Sequence, residues 1–365
     1  MPRAPRSGHR LSSSTVGVAF VVPMQGPTGI YGPSCLACAE LAVEHLNATD
    51  GIAGRRVELV LVDAGRAPDT VARDVERLVI DGVVEAVAGW HISAVRQAIT
   101  RRIGGQVLYA YAAMHEGRDD TPGVFMLGER PANQLLPAAH WMREHLGVGR
   151  WAVVGNDYVF PRVTAAVARR ALGDGPSAIV RETYVPLGTT DFSAVLAELQ
   201  HADSIDGVIM LLMGQDAVHF NRQFARAGLS EALPRLSPAV EENTLLGGGA
   251  SSHHGLYAAA AYFEGLGTVE SGDFERDYLD RFGEFAPALN AVGESCYEAL
   301  HFLAHVGRVC GGIDVPAAEA LRSGHFYEGP RGLMRLEGNL INQDVYLAAA
   351  DDLGFAVQQR IARAR

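Results

Sequence analysis

The chain has 365 residues, 48% hydrophobic and 20% charged, with 42 acidic against 31 basic side chains and a formal charge of −11. This balance excludes disordered, collagenous and disulfide-scaffold classes and argues against nucleic acid as a partner, and no uncharged apolar run approaches the roughly 18–20 residues of a membrane span. All 31 basic residues are arginine, so neither a lysine-bearing phosphate loop nor a Schiff-base lysine can form.

Residues 1–15 are basic and polar and read as a flexible tail. No apolar core of roughly 7–15 residues, small-residue cleavage site or lipobox cysteine follows them. The sequence as it stands therefore reads as cytoplasmic, or as periplasmic or extracellular if a leader precedes it. Strands are expected at 16–22, 56–63, 86–90, 107–112, 150–155, 178–185, 207–212 and 255–262. Amphipathic stretches lie between them at 36–47, 69–81, 94–103, 131–146, 162–171, 192–200, 217–227 and 271–282, with apolar residues three and four apart, as in Val71, Val75, Leu78 and Val79. This alternation predicts an α/β protein of parallel sheets flanked by helices. Two lobes fit better than one barrel, because two helices follow Tyr262 with no strand between them. The first lobe is expected at 16–130 plus 261–338, and the second at 131–260 plus 339–365, with a closing hairpin at 336–360. Cys35 and Cys38 form a C-x-x-C inside a helical stretch and read as buried small residues. With no cysteine or histidine quartet, neither a metal nor a cofactor is expected.

Between two such lobes a ligand sits at the carboxyl ends of the strands. Those ends carry Tyr31 in the loop 23–32, then Trp90, His91 and Ser93, and Tyr111 with Ala113. In the second lobe they carry Asn156, Asp157 and Tyr158, Gln215, and Glu241 and Glu242. Each also has a structural explanation. Ser93 reads as a helix cap, His91 as a wall residue, the tyrosines as core aromatics, and Gln215 and the two glutamates as solvated. Aromatics, hydroxyls and amides recurring at the sheet ends of both lobes suit a small polar solute held from two sides.

At these residues the chain resembles a known family. PMQGPTGIYGPSCLACAELAVEHLN and GIAGRRVELVLVD are similar to the opening of the type I periplasmic-binding-protein family of branched-chain amino acid receptors. GWHISAVRQAI, YAYAAMHEG and GNDYVFPR resemble its amide and urea receptor branch, which includes the aliphatic amidase expression-regulating protein. The resemblance implies two Rossmann-like lobes joined by a hinge with several chain crossings, and a ligand contacted by Ser93, Tyr111 and Tyr158. Ala113 stands where the family has a threonine. Trp90 and His91 replace smaller or tyrosine-like neighbours, and Gln215 lies in a loop that elsewhere contains threonine. Glu241 or Glu242 is placed to meet a ligand ammonium. The expected function is a non-catalytic receptor closing on a short amide, urea-like solute or amino acid. Its expected partner is an ABC permease or, for a cytoplasmic sensor, a regulatory protein, with a homodimer also open.

Two alternatives compete with the receptor. A hydrolase would need a nucleophile elbow or a metal pair, and His301 and His305, four apart, lack the glutamate of H-E-x-x-H because Phe302 follows His301. A ligand-free interaction module would follow from the hydroxyl missing at Ala113.

Overall fold

The computed structural model describes residues 13–363, apart from 118, 174, 176, 202 and 203. Most of the expected tail thus lies outside the described residues, and Thr15 already belongs to the first strand. Strands form where apolar residues run unbroken, because helices cover both faces of the sheet. β1 (Thr15–Val22) is buried from Val16 onward and pairs in parallel with β2 (Arg56–Asp63) and β3 (Ala86–Gly89). β4 (Leu108–Tyr111) and β5 (Val124–Met126) continue the parallel sheet. α1 (Gly32–Asn47), α2 (Pro68–Ile80) and α3 (Ser93–Ile103) make the crossovers, giving the order β2-β1-β3-β4-β5.

The second lobe repeats that winding. After α4 (Leu135–Leu146), β6 (Arg150–Asn156), β7 (Ala178–Val185), β8 (Gly207–Leu211), β9 (Arg235–Ser237) and β10 (Leu256–Ala260) lie in the order β7-β6-β8-β9-β10. α5 (Val159–Leu172), α6 (Ser193–Gln200), α7 (Gln215–Arg226) and α8 (Glu242–Gly248) connect them. In both sheets the winding reverses beside the first strand, which places a binding crevice outside the carboxyl ends of β1 and β3, and of β6 and β8.

The chain then returns to the first lobe with α9 (Val269–Phe282) and α10 (Ala291–Cys310). α10 packs closely on α1: a Cβ at Gly293 would lie 3.0 Å from both Ser34 O and Cys38 Sγ. Cys35 and Cys38 are unpaired and buried, as small core residues are. After α11 (Val315–Glu319), an antiparallel ribbon of β11 (His325–Gly329), β12 (Gly332–Glu337) and β13 (Leu340–Asn342) extends the first sheet beside β5. The hairpin of β14 (Val345–Asp351) and β15 (Gly354–Ala362) extends the second sheet beside β10.

Residues 127–134, 261–268 and 343–344 carry the chain between lobes. The crossings are tied together. Ala261 N–H donates to Glu129 Oε1 at 2.7 Å, Gln134 Nε2 donates to Ala259 O at 2.7 Å, and Arg331 donates to Gln343 Oε1 at 3.1 Å.

Two expectations are corrected here. The division expected at 338/339 moves to 343–344, and the closing hairpin starts at Val345 rather than at 336. The cause is Gly338, whose φ of +62° folds β13 back onto β12 and keeps 340–342 in the first sheet. β5 and β9 were not expected, since three residues are too few to display a period.

Candidate ligand-binding site between the lobes

The first-lobe wall begins where β3 ends. Gly89 has φ +128°, and a Cβ there would sit 2.3 Å from Val21 O, so only glycine fits this approach of β3 to β1. Trp90, His91 and Ile92 then lead into α3. The helix cap is Ile92, which has no side-chain cap bond, and Ser93 is the first helical residue. The cap role expected for Ser93 is therefore corrected: its hydroxyl donates to Glu116 Oε2 at 2.6 Å. Glu116 comes from the loop after β4 and also accepts from Gln97 Nε2 at 3.2 Å and from the Arg96 guanidinium. Arg96 pairs with Asp119 as well, and its guanidinium lies 5.3 Å above the Tyr111 ring. An acidic side chain thus rests on the positive end of α3.

Tyr111 is fully buried and donates to His91 O at 2.7 Å. His91 itself faces inward. Its Nδ1–H donates to Val21 O at 2.9 Å, its Nε2 takes the Tyr109 hydroxyl, and burial pushes its pKa down to about 4. A neutral imidazole with both nitrogens bonded inside the sheet has nothing left for a ligand, which corrects its expected site role. Ala113 is buried and contributes no hydroxyl.

The second-lobe wall is built on Asn156 and Asp216. Asn156 Nδ2 donates to Asp216 Oδ2 at 2.7 Å, and Asn156 Oδ1 accepts from Met213 N at 2.9 Å. Asp216 also accepts from Gly188 N at 2.8 Å, fixing the loop after β7. Tyr158 precedes α5, is half-buried, and packs with Phe160, Met213 and Ala239 into the apolar cluster of the first lobe. Burial raises its hydroxyl pKa well above the ordinary value, and Tyr111, Tyr31, Glu116 and Asp216 reinforce the shift. Tyr158 thus reaches the neighbourhood of the Ser93–Glu116 pair from the opposite lobe. Gln215 does not, since its side chain is exposed and only its backbone N–H crosses, to Pro27 O at 2.8 Å.

Tyr31 joins the two walls. Its ring packs edge-on against Trp90 at 4.8 Å. Its hydroxyl accepts from Gly214 N at 2.9 Å and donates to Ala239 O at 3.2 Å. Asn243 Nδ2 adds a bond to Ile30 O at 2.9 Å. The lobes are therefore closed on one another in this structure.

Behind Trp90, toward the chain crossings, the cleft narrows to a cavity of about 10 Å³, room for roughly one water. Trp90, Glu129, Gln134, Glu241 and Arg331 are among its lining residues. Glu241 and Glu242 are buried, which removes the solvated reading of the pair. Burial, with Glu242 and Glu129 nearby, raises the Glu241 carboxyl well above its usual range, and its Oε2 accepts from Ala291 N at 3.1 Å. Burial pushes Glu242 up to about 8. Arg331 is the counter-charge of this region, ion-paired with Glu294 and 3.7 Å from Glu298.

Of the expected site residues, Ser93, Tyr111 and Tyr158 gather around Glu116, and Trp90 and Glu241 line the inner cavity. His91 and Gln215 point elsewhere. Sequence reasoning assigned no role to Arg96, Glu116, Glu129 or Arg331, and Tyr31 was noted only as a loop aromatic. Arg96 and Glu116 stood inside the segments GWHISAVRQAI and YAYAAMHEG, where a buried charge next to a strand end was the available signal. Among the described residues no group of three or more His, Cys, Asp or Glu is placed to hold a metal. His301 stacks on Tyr297 at 4.2 Å, while His305 faces His325 across 2.8 Å, so the two histidines do not converge.

Two solved structures of similar shape are solute-binding proteins. A Rhodopseudomonas palustris ABC-transporter solute-binding protein solved with benzoate superposes with a TM-score of 0.83, at 18% identity, over 96% of this chain and 97% of its own. The branched-chain amino acid binding protein LivJ of Streptococcus pneumoniae, solved with isoleucine, gives 0.80 at 18% identity over 94% and 99%. By sequence, Leu/Ile/Val-binding protein homolog 3 of Brucella melitensis is 25% identical over 238 residues, covering 64% of this chain and 60% of its own. The Escherichia coli K12 Leu/Ile/Val-binding protein is 25% identical over 218 residues, 59% of each. The chain thus spans about 60% of the length of the relatives it matches. All four are binding proteins by name, and a family of periplasmic proteins lends no support to a cytoplasmic placement. Residues 15–354 match the periplasmic binding protein family, and the chain belongs to it.

Proposed function

We propose that the protein is a non-catalytic solute receptor, the substrate-binding component of an ABC transporter working outside the cytoplasmic membrane. It closes its lobes on a short amide, urea-like solute or amino acid between the Ser93–Tyr111 wall and Tyr158. The observation that carries this reading is the closed cleft. Tyr158 from one lobe meets the surroundings of Glu116 on the other, and Tyr31 bonds across the gap. Closure of this kind excludes water and strengthens each polar contact to a small solute. Matching walls of aromatics and hydrogen-bonding groups on the two lobes support binding of a small polar solute.

The test is a thermal-shift screen of the full chain against acetamide, propionamide, urea, leucine, valine and small polyols. A ligand at about 100 times its Kd adds about 2.7 kcal/mol, which is a shift of several degrees or less for a chain of this size. A saturable shift with one of the amides, urea or amino acids is expected, without release of ammonia. Tyr158→Ala is expected to weaken that binding at least tenfold while lowering Tm by only a few degrees. Flat melting curves across the panel, or turnover of the amide, would overturn the reading.

A further inference from the structure

We infer that Glu116 sets the ligand class of this cleft: its carboxylate takes the N–H face of a solute and turns away carboxylate ligands. The inference rests on the receptor reading above and deepens it. The first turn of α3 presents three donors to the cleft, the Ser93 hydroxyl, the Arg96 guanidinium and the Gln97 amide. Such a set at a helix N-terminus would suit an incoming carboxylate. Here all three are engaged by the chain's own side chains. Ser93 Oγ donates to Glu116 Oε2 at 2.6 Å and Gln97 Nε2 to Glu116 Oε1 at 3.2 Å. The two terminal nitrogens of Arg96 are divided between Glu116 and Asp119.

Charge decides what can approach next. Among the described residues, one guanidinium faces two carboxylates, so these three side chains sum to a charge of −1. They are only 3% (Arg96), 11% (Glu116) and 12% (Asp119) exposed, so water screens little of that charge. Burial acts most strongly on the Tyr158 hydroxyl, and the groups that act on it next are Tyr111, Tyr31, Glu116 and Asp216, none of them cationic. A ligand carboxylate brought beside Glu116 meets a like charge in a site of low dielectric, which costs on the order of 100-fold in affinity. An amide, urea or ammonium group meets an acceptor instead. A carboxylate has about four lone-pair positions, and described residues use three of those on Glu116, which leaves one on Oε2 for a ligand N–H.

Isosteric pairs test this directly by titration calorimetry on the full chain: acetamide against acetate, and benzamide against benzoate, with urea and n-propylamine as further N–H donors. The wild-type protein is expected to bind at least one N–H solute, and to bind the matching carboxylate at least 100-fold more weakly. Glu116→Gln removes the excess charge and frees Arg96 for a ligand. In that variant the amide-to-carboxylate preference is expected to shrink at least tenfold. The wild-type comparison stands by itself if the variant fails to fold. Acetate or benzoate binding the wild type as tightly as its amide overturns the inference and leaves the receptor reading intact. An unchanged preference in folded Glu116→Gln also overturns it. Binding of no solute in this panel overturns the inference, and the receptor reading falls with it only if the melting curves with leucine and valine are flat as well.

Discussion

The Tyr31 hydroxyl is the most direct handle on lobe closure. It accepts from Gly214 N at 2.9 Å and donates to Ala239 O at 3.2 Å, both across the cleft, and the tyrosine is fully buried. Tyr31→Phe keeps the ring and its packing on Trp90 and removes only the oxygen. In the closed state the variant leaves one N–H and one carbonyl without a partner, while in the open state water reaches both. Leaving a buried polar group unsatisfied costs about 1–3 kcal/mol, so with two such groups the closed state loses roughly 2–6 kcal/mol relative to the open one. Because the ligand is gripped only when the lobes close, its apparent Kd rises by the same factor, on the order of 30- to 10,000-fold. Each lobe keeps its core, so Tm moves by a few degrees at most. Calorimetric titration with the best solute of the thermal screen, alongside a melt of the unliganded variant, gives both numbers. A Kd within threefold of wild type would refute the reasoning, because closure would then not depend on this contact. A large Tm loss with unchanged affinity would make Tyr31 a core residue instead.

Two further predictions concern buried charge. Arg331→Met strands Glu294 and Glu298, whose side chains are 0% and 3% exposed, and costs about 3–5 kcal/mol. Burial already pushes Glu298 up to about 7 with Arg331 present. A carboxyl with a raised folded pKa loses stability as pH climbs from its unfolded value through the folded one. The Tm deficit of Arg331→Met is therefore larger at pH 8 than at pH 5, and an equal deficit at both contradicts the assignment. His91, with its pKa lowered to about 4, stays neutral in the folded protein at pH 5.5, where the unfolded chain protonates it. Its contribution to stability is present above pH 6.5 and is lost as pH falls from there toward 4. An imidazole resonance that titrates near 6.5 would place His91 at the cleft surface.

The alternation of buried runs and amphipathic stretches made the two-sheet architecture readable, since long parallel strands covered on both sides carry a continuous apolar signal. β5, β9 and the β11–β13 ribbon escaped for physical reasons. Three-residue strands have no period, and the ribbon is broken by Gly329, Pro330, Gly332 and Gly338. The strand-end loops were readable as places, but the direction of each side chain was not. His91 and Ser93 lie two residues apart, yet one turns into the sheet and the other onto a loop 23 residues downstream. Gln215 crosses the cleft through its backbone, a role any residue but proline could fill. Glu116 reaches Ser93 only because the loop after β4 folds back over α3, a tertiary event with no local signature.

Small-angle X-ray scattering of the full chain, with and without a saturating solute from the thermal screen, tests the central claim that the lobes close on a small ligand. The wild type is expected to show a smaller radius of gyration on saturation. Tyr31→Phe is expected to need a higher solute concentration to contract equally. Saturable binding with an unchanged radius in both proteins would contradict the claim, because the solute would then be held without the second lobe.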